Sequence, residues 1–339
     1  MVSMRASTPR RIAVLSSLLP ALALLVAGCA QIYQPMGPPR QPPALAEDAV
    51  LAADGYRLPV RAWLPEGEPA AVILALHGFN DYSNMFEGAG PVWAEHGVAT
   101  YAYDQRGFGA SAGRGIWPGA ETLAGDARTV AALLRARHPG ASLYLLGHSM
   151  GGAVAIAALA GAGPPPADGA VLVAPAAWGR GSMGPLERIA LWLAVTLTPG
   201  MTLTGESLDI VPSDNIEMLR ALGRDPMVIK ETRTDTIGGL VDLMDLAQDA
   251  APRLRVPTLV LFGDNEEVLP PESVDDLLAR LPSGGRRVVF YPDGYHMLLR
   301  DLQGRVVIDD IAAWVLEPAG ALPSGHEGRA RGEGVVARR

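Results

Sequence analysis

The sequence predicts an α/β fold, with a mostly parallel central sheet covered by helices on both faces. Three observations predict it. Short, continuously apolar runs alternate with longer helical stretches along the chain. Those runs carry no polar alternation, so both of their faces must be buried, as in a parallel sheet between two helical layers. Several runs also end in residues able to do chemistry, as expected of a sheet that binds ligands beyond the carboxyl ends of its strands.

Taken in order, residues 49–51 and 56–63 flank a turn at Asp54-Gly55 and read as a hairpin. Residues 72–76 form an apolar run that ends in His77-Gly78-Phe79, and residues 98–103 form one that ends at Asp104. The run 143–146 leads into Gly147-His148-Ser149-Met150-Gly151, and the runs 170–174, 258–262 and 287–291 complete the series. Helical patterns cover 119–137, 150–161, 271–281 and 303–316. From about Trp178 to Ala250 this rhythm stops, and no buried strand is evident. An insertion of that size after the sixth strand is expected to form a helical cap. Ile189, Leu191, Trp192, Leu193 and Val195 are apolar nearly all round a helix. Either they pack on the core, or they form a lid that lines an acyl pocket or touches lipid.

The flanks differ from this domain in composition. Arg5, Arg10 and Arg11 precede an apolar stretch at 12–26 that is short for a membrane span. Leu25-Val26-Ala27-Gly28-Cys29 follows and resembles a bacterial lipobox, in which the cysteine is acylated and becomes the mature N-terminus. The competing reading is an ordinary secretory signal with an incidental cysteine. Residues 1–28 are thus expected to be a lipoprotein signal and Cys29 the lipidation site, placing the folded domain in the cell envelope outside the cytoplasm. In a cell with two membranes, Ala30 points to the outer one. Residues 29–48 contain five prolines and are expected to tether the domain, residues 49–317 to form it, and residues 318–339 to be a disordered tail. The formal charge is −8, and loss of residues 1–28, with three arginines and no acid, takes it to −11. That balance argues against nucleic acid as a partner. One cysteine excludes an intrachain disulfide and a cysteine-based zinc site.

The pattern Gly-x-Ser-x-Gly between a strand and a helix marks Ser149 as a nucleophile held in a strained turn. The flanking glycines are required because a Cβ there would collide with a neighbouring strand or helix. A serine hydroxyl needs a base, an acid and an oxyanion hole. Of six histidines, only His296 follows a late strand at its carboxyl end, in Tyr291-Pro292-Asp293-Gly294-Tyr295-His296. The acid should lie between serine and histidine, and Phe262-Gly263-Asp264-Asn265-Glu266-Glu267 supplies it. Glu266 is favoured by its spacing from Gly263 and Pro270, and Asp264 is the alternative. The amides of Phe79 and Met150 are the expected oxyanion donors. The Asp104-Gln105-Arg106-Gly107 loop is assigned a structural role beside the site.

With these residues in this order, the chain resembles the α/β-hydrolase superfamily. The segments that carry the resemblance are His77-Gly78-Phe79, 104–109, 147–152 and 295–299. Within that superfamily it is similar to the monoacylglycerol lipase and lysophospholipase group, over about residues 49–317. The group usually has an aspartate where Glu266 stands and carries a helical cap where one is expected here. The resemblance implies hydrolysis of a small lipid-like ester through an acyl-enzyme, with no metal or organic cofactor. Two alternatives stand beside it. One uses the same triad as a peptidase, carbon–carbon hydrolase, perhydrolase or acyltransferase. The other is a non-catalytic envelope lipoprotein.

Overall fold

In the computed structural model, residues 31–205, 209–329 and 331 are described. Cys29 and the signal-like segment lie outside the described residues. In chain order the elements are β1 (Ala44–Leu45), β2 (Ala49–Leu51), β3 (Arg57–Trp63), β4 (Ala71–Leu76), α1 (Gly90–Glu95), β5 (Val98–Tyr103) and α2 (Ala120–Arg137). Next come β6 (Ser142–His148), α3 (Met150–Ala160), β7 (Gly169–Val173), α4 (Pro185–Leu197), β8 (Thr202–Thr204), α5 (Ile216–Arg224) and β9 (Glu231–Arg233). The chain continues with α6 (Thr234–Ala250), β10 (Thr258–Gly263), α7 (Pro271–Arg280), β11 (Arg286–Tyr291) and α8 (Gly304–Leu316).

The main sheet has the order β1-β2-β3-β5-β4-β6-β7-β10-β11. The strands from β5 to β11 in that order run parallel, and β1, β2 and β3 add an antiparallel edge. The α/β-hydrolase architecture expected from the sequence is therefore the one observed. The Asp54-Gly55 turn closes the hairpin, with Gly55 at φ 84° and Val50 opposite Leu58. The elements that sequence patterns do not announce are the two-residue β1, the six-residue α1 and the three-residue pair β8–β9. All are too short to show a period.

Strand alternation divides the core into two layers. Along β4, Val72, Leu74 and Leu76 join the cluster formed with α2, α3, α6 and α7. Ala71, Ile73 and Ala75 face the other way, against Trp93 of α1 and Trp314 of α8. The buried Trp93 indole N–H donates to the Ile308 carbonyl at 3.0 Å, so this large ring is buried without an orphaned donor.

The segment between β7 and β10 holds α4, α5, α6 and the small β8–β9 sheet. Helix α6 is largely buried and packs on α3. Packing on the core accounts for only one side of α4. Leu191 contacts the core, and Val195 lies over Gly238, where an added Cβ would stand 2.7 Å from Val195 Cγ2. Leu186, Ile189, Trp192, Leu193 and Leu197 are exposed.

Both flanks are more ordered than their composition suggests. From Gln31 onward the proline-rich segment lies along the domain instead of hanging free. The Ile32 amide donates to Asp235, Gln34 to the Trp117 carbonyl, Met36 to Thr122 and Gly37 to Asp54. Prolines lack donors, but the residues between them supply enough amides to fasten the strand. At the other end, Leu322 is buried and Glu327 pairs with both Val289 and Arg287, so residues 318–329 cover the edge of the sheet at β11. The expected disorder from 318 does not hold for that stretch.

Candidate active site

The site lies where β4 and β6 are neighbours. After β4 the chain moves outward to β5, and after β6 it moves the other way to β7, so a crevice opens at the carboxyl ends of these two strands. His77-Gly78-Phe79 leaves β4 on one side of that crevice, and Ser149 leaves β6 on the other.

Ser149 has φ 51° and ψ −117° at the start of α3. This is a costly conformation for a residue with a side chain, and the surroundings hold it in place. The Ser149 amide donates to the Val173 carbonyl at 3.0 Å, and its own carbonyl accepts from Gly152 and Ala176, each at 2.9 Å. A Cβ on Gly147 would lie 2.2 Å from the Gly151 carbonyl oxygen, and one on Gly151 would lie 2.0 Å from that of Leu76. The glycines are thus fixed by the close approach of strand and helix, as the motif implied. Gly151→Ala is expected to destabilise the protein by about 3 kcal/mol or more, or to prevent its folding, because backbone has to move. Gly223→Ala in α5, where nothing lies within 4 Å of the new methyl, should stabilise by about 0.5–1 kcal/mol. Denaturant unfolding of the two variants checks the contrast.

His296 follows β11. Its Nδ1–H donates to Glu266 Oε2 at 2.8 Å, and both side chains are nearly fully buried. The other carboxylate oxygen, Oε1, accepts from the amides of Val268 at 2.7 Å and Leu269 at 3.0 Å. Glu266 is therefore aimed before any substrate arrives. It fixes the tautomer in which Nδ1 carries the proton and Nε2 is free to accept one. Asp264, two residues earlier, faces Arg329 at 3.5 Å. The geometry thus separates the two candidate acids and pairs the histidine with the glutamate.

On the oxyanion side, Met150 is the first residue of α3, so its N–H has no acceptor within the helix. Phe79 is held by neighbours on both sides. Its ring packs on Phe108 and Trp117, with centroids 5.8 and 6.5 Å away. His77 is fully buried, and burial pushes its pKa below the usual imidazole value. As a neutral ring it donates from Nδ1 to the Gly78 carbonyl at 2.8 Å and accepts the Gln105 amide at Nε2 at 3.0 Å.

The Gln105 side chain returns a bond to the His77 carbonyl at 3.0 Å, so the loops after β4 and β5 brace each other. Arg106 is buried between Asp54 and Asp126 and stacks on Tyr56 at 4.1 Å. Burial works against the Asp54 charge, but hydrogen bonds from Arg106 and from the Gly37 and Tyr56 amides hold its pKa down at about 2. The 104–107 loop is structural, as expected.

Two residues that sequence reasoning did not single out as supports, His148 and Asp301, brace the histidine. His148, in the turn itself, reaches the loop that carries His296. Its Nε2–H donates to the His296 carbonyl at 2.9 Å, and its ring meets that of His296 edge-on at 5.0 Å. Burial drives its pKa well down, so it acts here as a neutral donor. Gly78 must be a glycine because a Cβ would stand 2.9 Å from His148 Nδ1. Asp301 accepts from Ser213 Oγ at 2.6 Å and from the Tyr295 amide at 2.7 Å, and so ties the cap segment to the residue before His296. Asp301→Ala is expected to lower kcat about 10–100-fold with little change in KM, since a small displacement of the base is costly. Steady-state kinetics on a soluble ester checks this.

Residues 211–232 bond to the loops after β4, β10 and β11. The Met297 amide donates to the Pro212 carbonyl, Val211 to Glu267, Ile229 to the Asn80 carbonyl, and Asn80 Nδ2 to Thr232. The insertion thus sits on the same edge of the sheet as Ser149.

A family model described as "Serine aminopeptidase, S33" (Hydrolase_4) matches residues 67–303, which include Phe79, Ser149, Met150, Glu266 and His296. The chain belongs to this family. Like its members, it is a serine hydrolase of the α/β-hydrolase fold. Among curated relatives, the chain is 26% identical over 273 residues to a monoacylglycerol lipase of Mycolicibacterium smegmatis, covering 80% of this chain and 97% of that one. It is 27% identical over 271 residues to the monoglyceride lipase of Homo sapiens, covering 78% and 89%. Its fold is similar to that of a soluble variant of monoglyceride lipase from Saccharomyces cerevisiae, with a TM-score of 0.67, 17% identity, and 86% and 100% of the two chains covered. The monoacylglycerol lipase of Paleococcus ferrophilus has a TM-score of 0.63 at 21% identity, with 76% and 98% covered.

Proposed function

We propose that the protein is a lipid-anchored ester hydrolase of the monoacylglycerol lipase type, working at a membrane surface outside the cytoplasm. The observation that carries the chemistry is the His296–Glu266 pair aimed from the carboxyl edge on which Ser149 stands. Relatives named as monoacylglycerol lipases, matched over most of their length, support the substrate class. The Leu25-Val26-Ala27-Gly28-Cys29 sequence supports the anchor.

In this mechanism Ser149 Oγ attacks the ester carbonyl carbon while its proton passes to His296 Nε2. The Phe79 and Met150 amides stabilise the oxygen that becomes negative. The tetrahedral species collapses, the bond to the leaving alcohol breaks, and His296 returns the proton to that alcohol. Water then attacks the acyl-serine with His296 as base, releasing the fatty acid and restoring Ser149. Glu266 holds the imidazole and stabilises its positive form without taking the proton.

The family's description makes an N-terminal aminoacyl peptide the competing substrate. The purified full-length chain should be screened against monoacylglycerols of graded chain length, lysophospholipids, short soluble esters and aminoacyl amides. Monoacylglycerol hydrolysis faster than amide cleavage is the expected result. Amide cleavage without ester hydrolysis overturns the reading. Mass analysis of the mature N-terminus tests the anchor, and an unmodified Cys29 or cleavage elsewhere removes it.

A further inference from the structure

The loop that carries Glu266 is held at both ends by the C-terminal segment. It runs from Asp264, just after β10, to Pro270, just before α7. Within it the Glu266 carboxylate is set by its own neighbours, since Oε1 accepts from the Val268 and Leu269 amides. Those bonds fix the carboxylate relative to the loop, but not the loop relative to His296. Backbone contacts fix the start of the loop. The Asp264 amide donates to the Tyr291 carbonyl at 2.9 Å, and the Asn265 amide to that of Gly294 at 3.0 Å. Further contacts come from chain that follows α8.

That chain is fastened to β11 first. Arg287 of β11 donates from Nε to Glu327 at 2.6 Å and from one terminal nitrogen to the Pro318 and Gly320 carbonyls, each at 2.8 Å. Asp310 of α8 accepts from the Tyr291 hydroxyl and from the Ser324 amide, each at 2.8 Å. Leu322 is buried, and the His326 ring meets Tyr291 edge-on at 5.9 Å. So anchored, the segment delivers two arginines to the acid loop. Arg329 stands 3.5 Å from the buried Asp264 carboxylate, and Arg331 donates to the Pro271 carbonyl at 3.1 Å. The two contacts bracket Glu266, one at the start of its loop and one at the first residue of α7.

We propose that Arg329 and Arg331 are positioning residues for the acid, clamping residues 264–271 so that Glu266 stays on Nδ1 of His296. The proposal rests on the assignment of Glu266 as the acid. Glu266 and His296 follow neighbouring strands, β10 and β11, and a small shift of one strand's loop against the other's misdirects the bond between them. A segment tied to β11 that grips the loop after β10 locks the two together. Arginine suits the task, because its rigid fork of donors reaches carboxylates and carbonyls alike.

The test compares the purified full-length chain with Arg329→Ala/Arg331→Ala and with Arg329→Lys/Arg331→Lys. Rates are read well below each variant's thermal midpoint, so that lost stability does not count as lost turnover. The alanine pair should lower kcat on a soluble ester about 10-fold with KM within about twofold, and the lysine pair should recover most of that loss. A chain ending at Gly328, which keeps Leu322 and the Glu327–Arg287 pair, should behave like the alanine pair. The rate at which a fluorophosphonate modifies Ser149 then tests whether the clamp acts through the acid. Adding the alanine pair to Glu266→Gln should slow that rate no further, since coupled residues are not additive. Wild-type kcat in the alanine pair, no recovery with lysine, or a loss that adds to that of Glu266→Gln overturns the clamp. Wild-type activity in Glu266→Gln itself overturns the acid assignment, and the clamp with it. An inactive Glu266→Gln beside fully active arginine variants overturns the clamp alone.

Discussion

Ser149→Ala is expected to lower kcat for ester hydrolysis by about 10⁴-fold or more, with the folded state retained. Alanine keeps the Cβ, and the backbone at φ 51° is already held by bonds to Val173, Gly152 and Ala176. The substitution therefore removes the nucleophile without disturbing the turn. What activity is left comes from water attacking an ester held by the Phe79 and Met150 amides. Steady-state kinetics together with a thermal unfolding midpoint separates the two effects. A variant that folds normally and keeps wild-type turnover would sink the acyl-enzyme mechanism.

The second large effect is expected at the acid. Glu266→Gln keeps the volume, and its amide oxygen can still accept from Val268 and Leu269. The amide NH₂ then faces Nδ1–H of His296, where Glu266 Oε2 now sits at 2.8 Å. Two donors cannot share that bond, so the imidazole turns or changes tautomer and Nε2 ceases to be a base. A loss of about 10³–10⁴-fold in kcat is expected, in line with the cost of a wrong tautomer in a serine–histidine–acid site. Asp264→Asn touches the contact with Arg329 instead, and its activity should stay within a few-fold of wild type. The reverse order of losses would return the acid role to Asp264.

Much of this was legible in the chain. Each strand of the parallel sheet shows as a continuous apolar run, because burial on both faces leaves no room for polar alternation. The turn at Ser149 shows because its glycines fall in one short motif, Gly147 against Gly151, although Gly151 is also pressed by the distant Leu76 carbonyl. The position of His296 shows because chain order places it after a late strand. The short elements β1, α1, β8 and β9 do not show, since two to six residues carry no period. Composition misled at the flanks. Proline-rich and glycine-rich segments look free, yet the amides of Ile32, Gln34, Met36 and Gly37 and the Glu327 carboxylate find partners on the domain.

The sequence by itself determined the fold and the places of the proposed nucleophile Ser149, the proposed base His296 and the two candidate acids. These follow from local patterning and from the order of motifs along a right-handed α/β chain. Only the tertiary structure decided which carboxylate meets His296, because Glu266 and Asp264 differ in direction and hardly in position. It alone brought His148 to His296 across 148 residues and the 31–32 segment to α4 and α6 across 164 and 203. Hydrophobic periodicity records which face of an element is buried, but not which distant side chain will face it. That depends on where each loop ends after the sheet and its helical layers have packed, and here it decides which carboxylate meets His296, which ring braces it and which side of the cap is left bare.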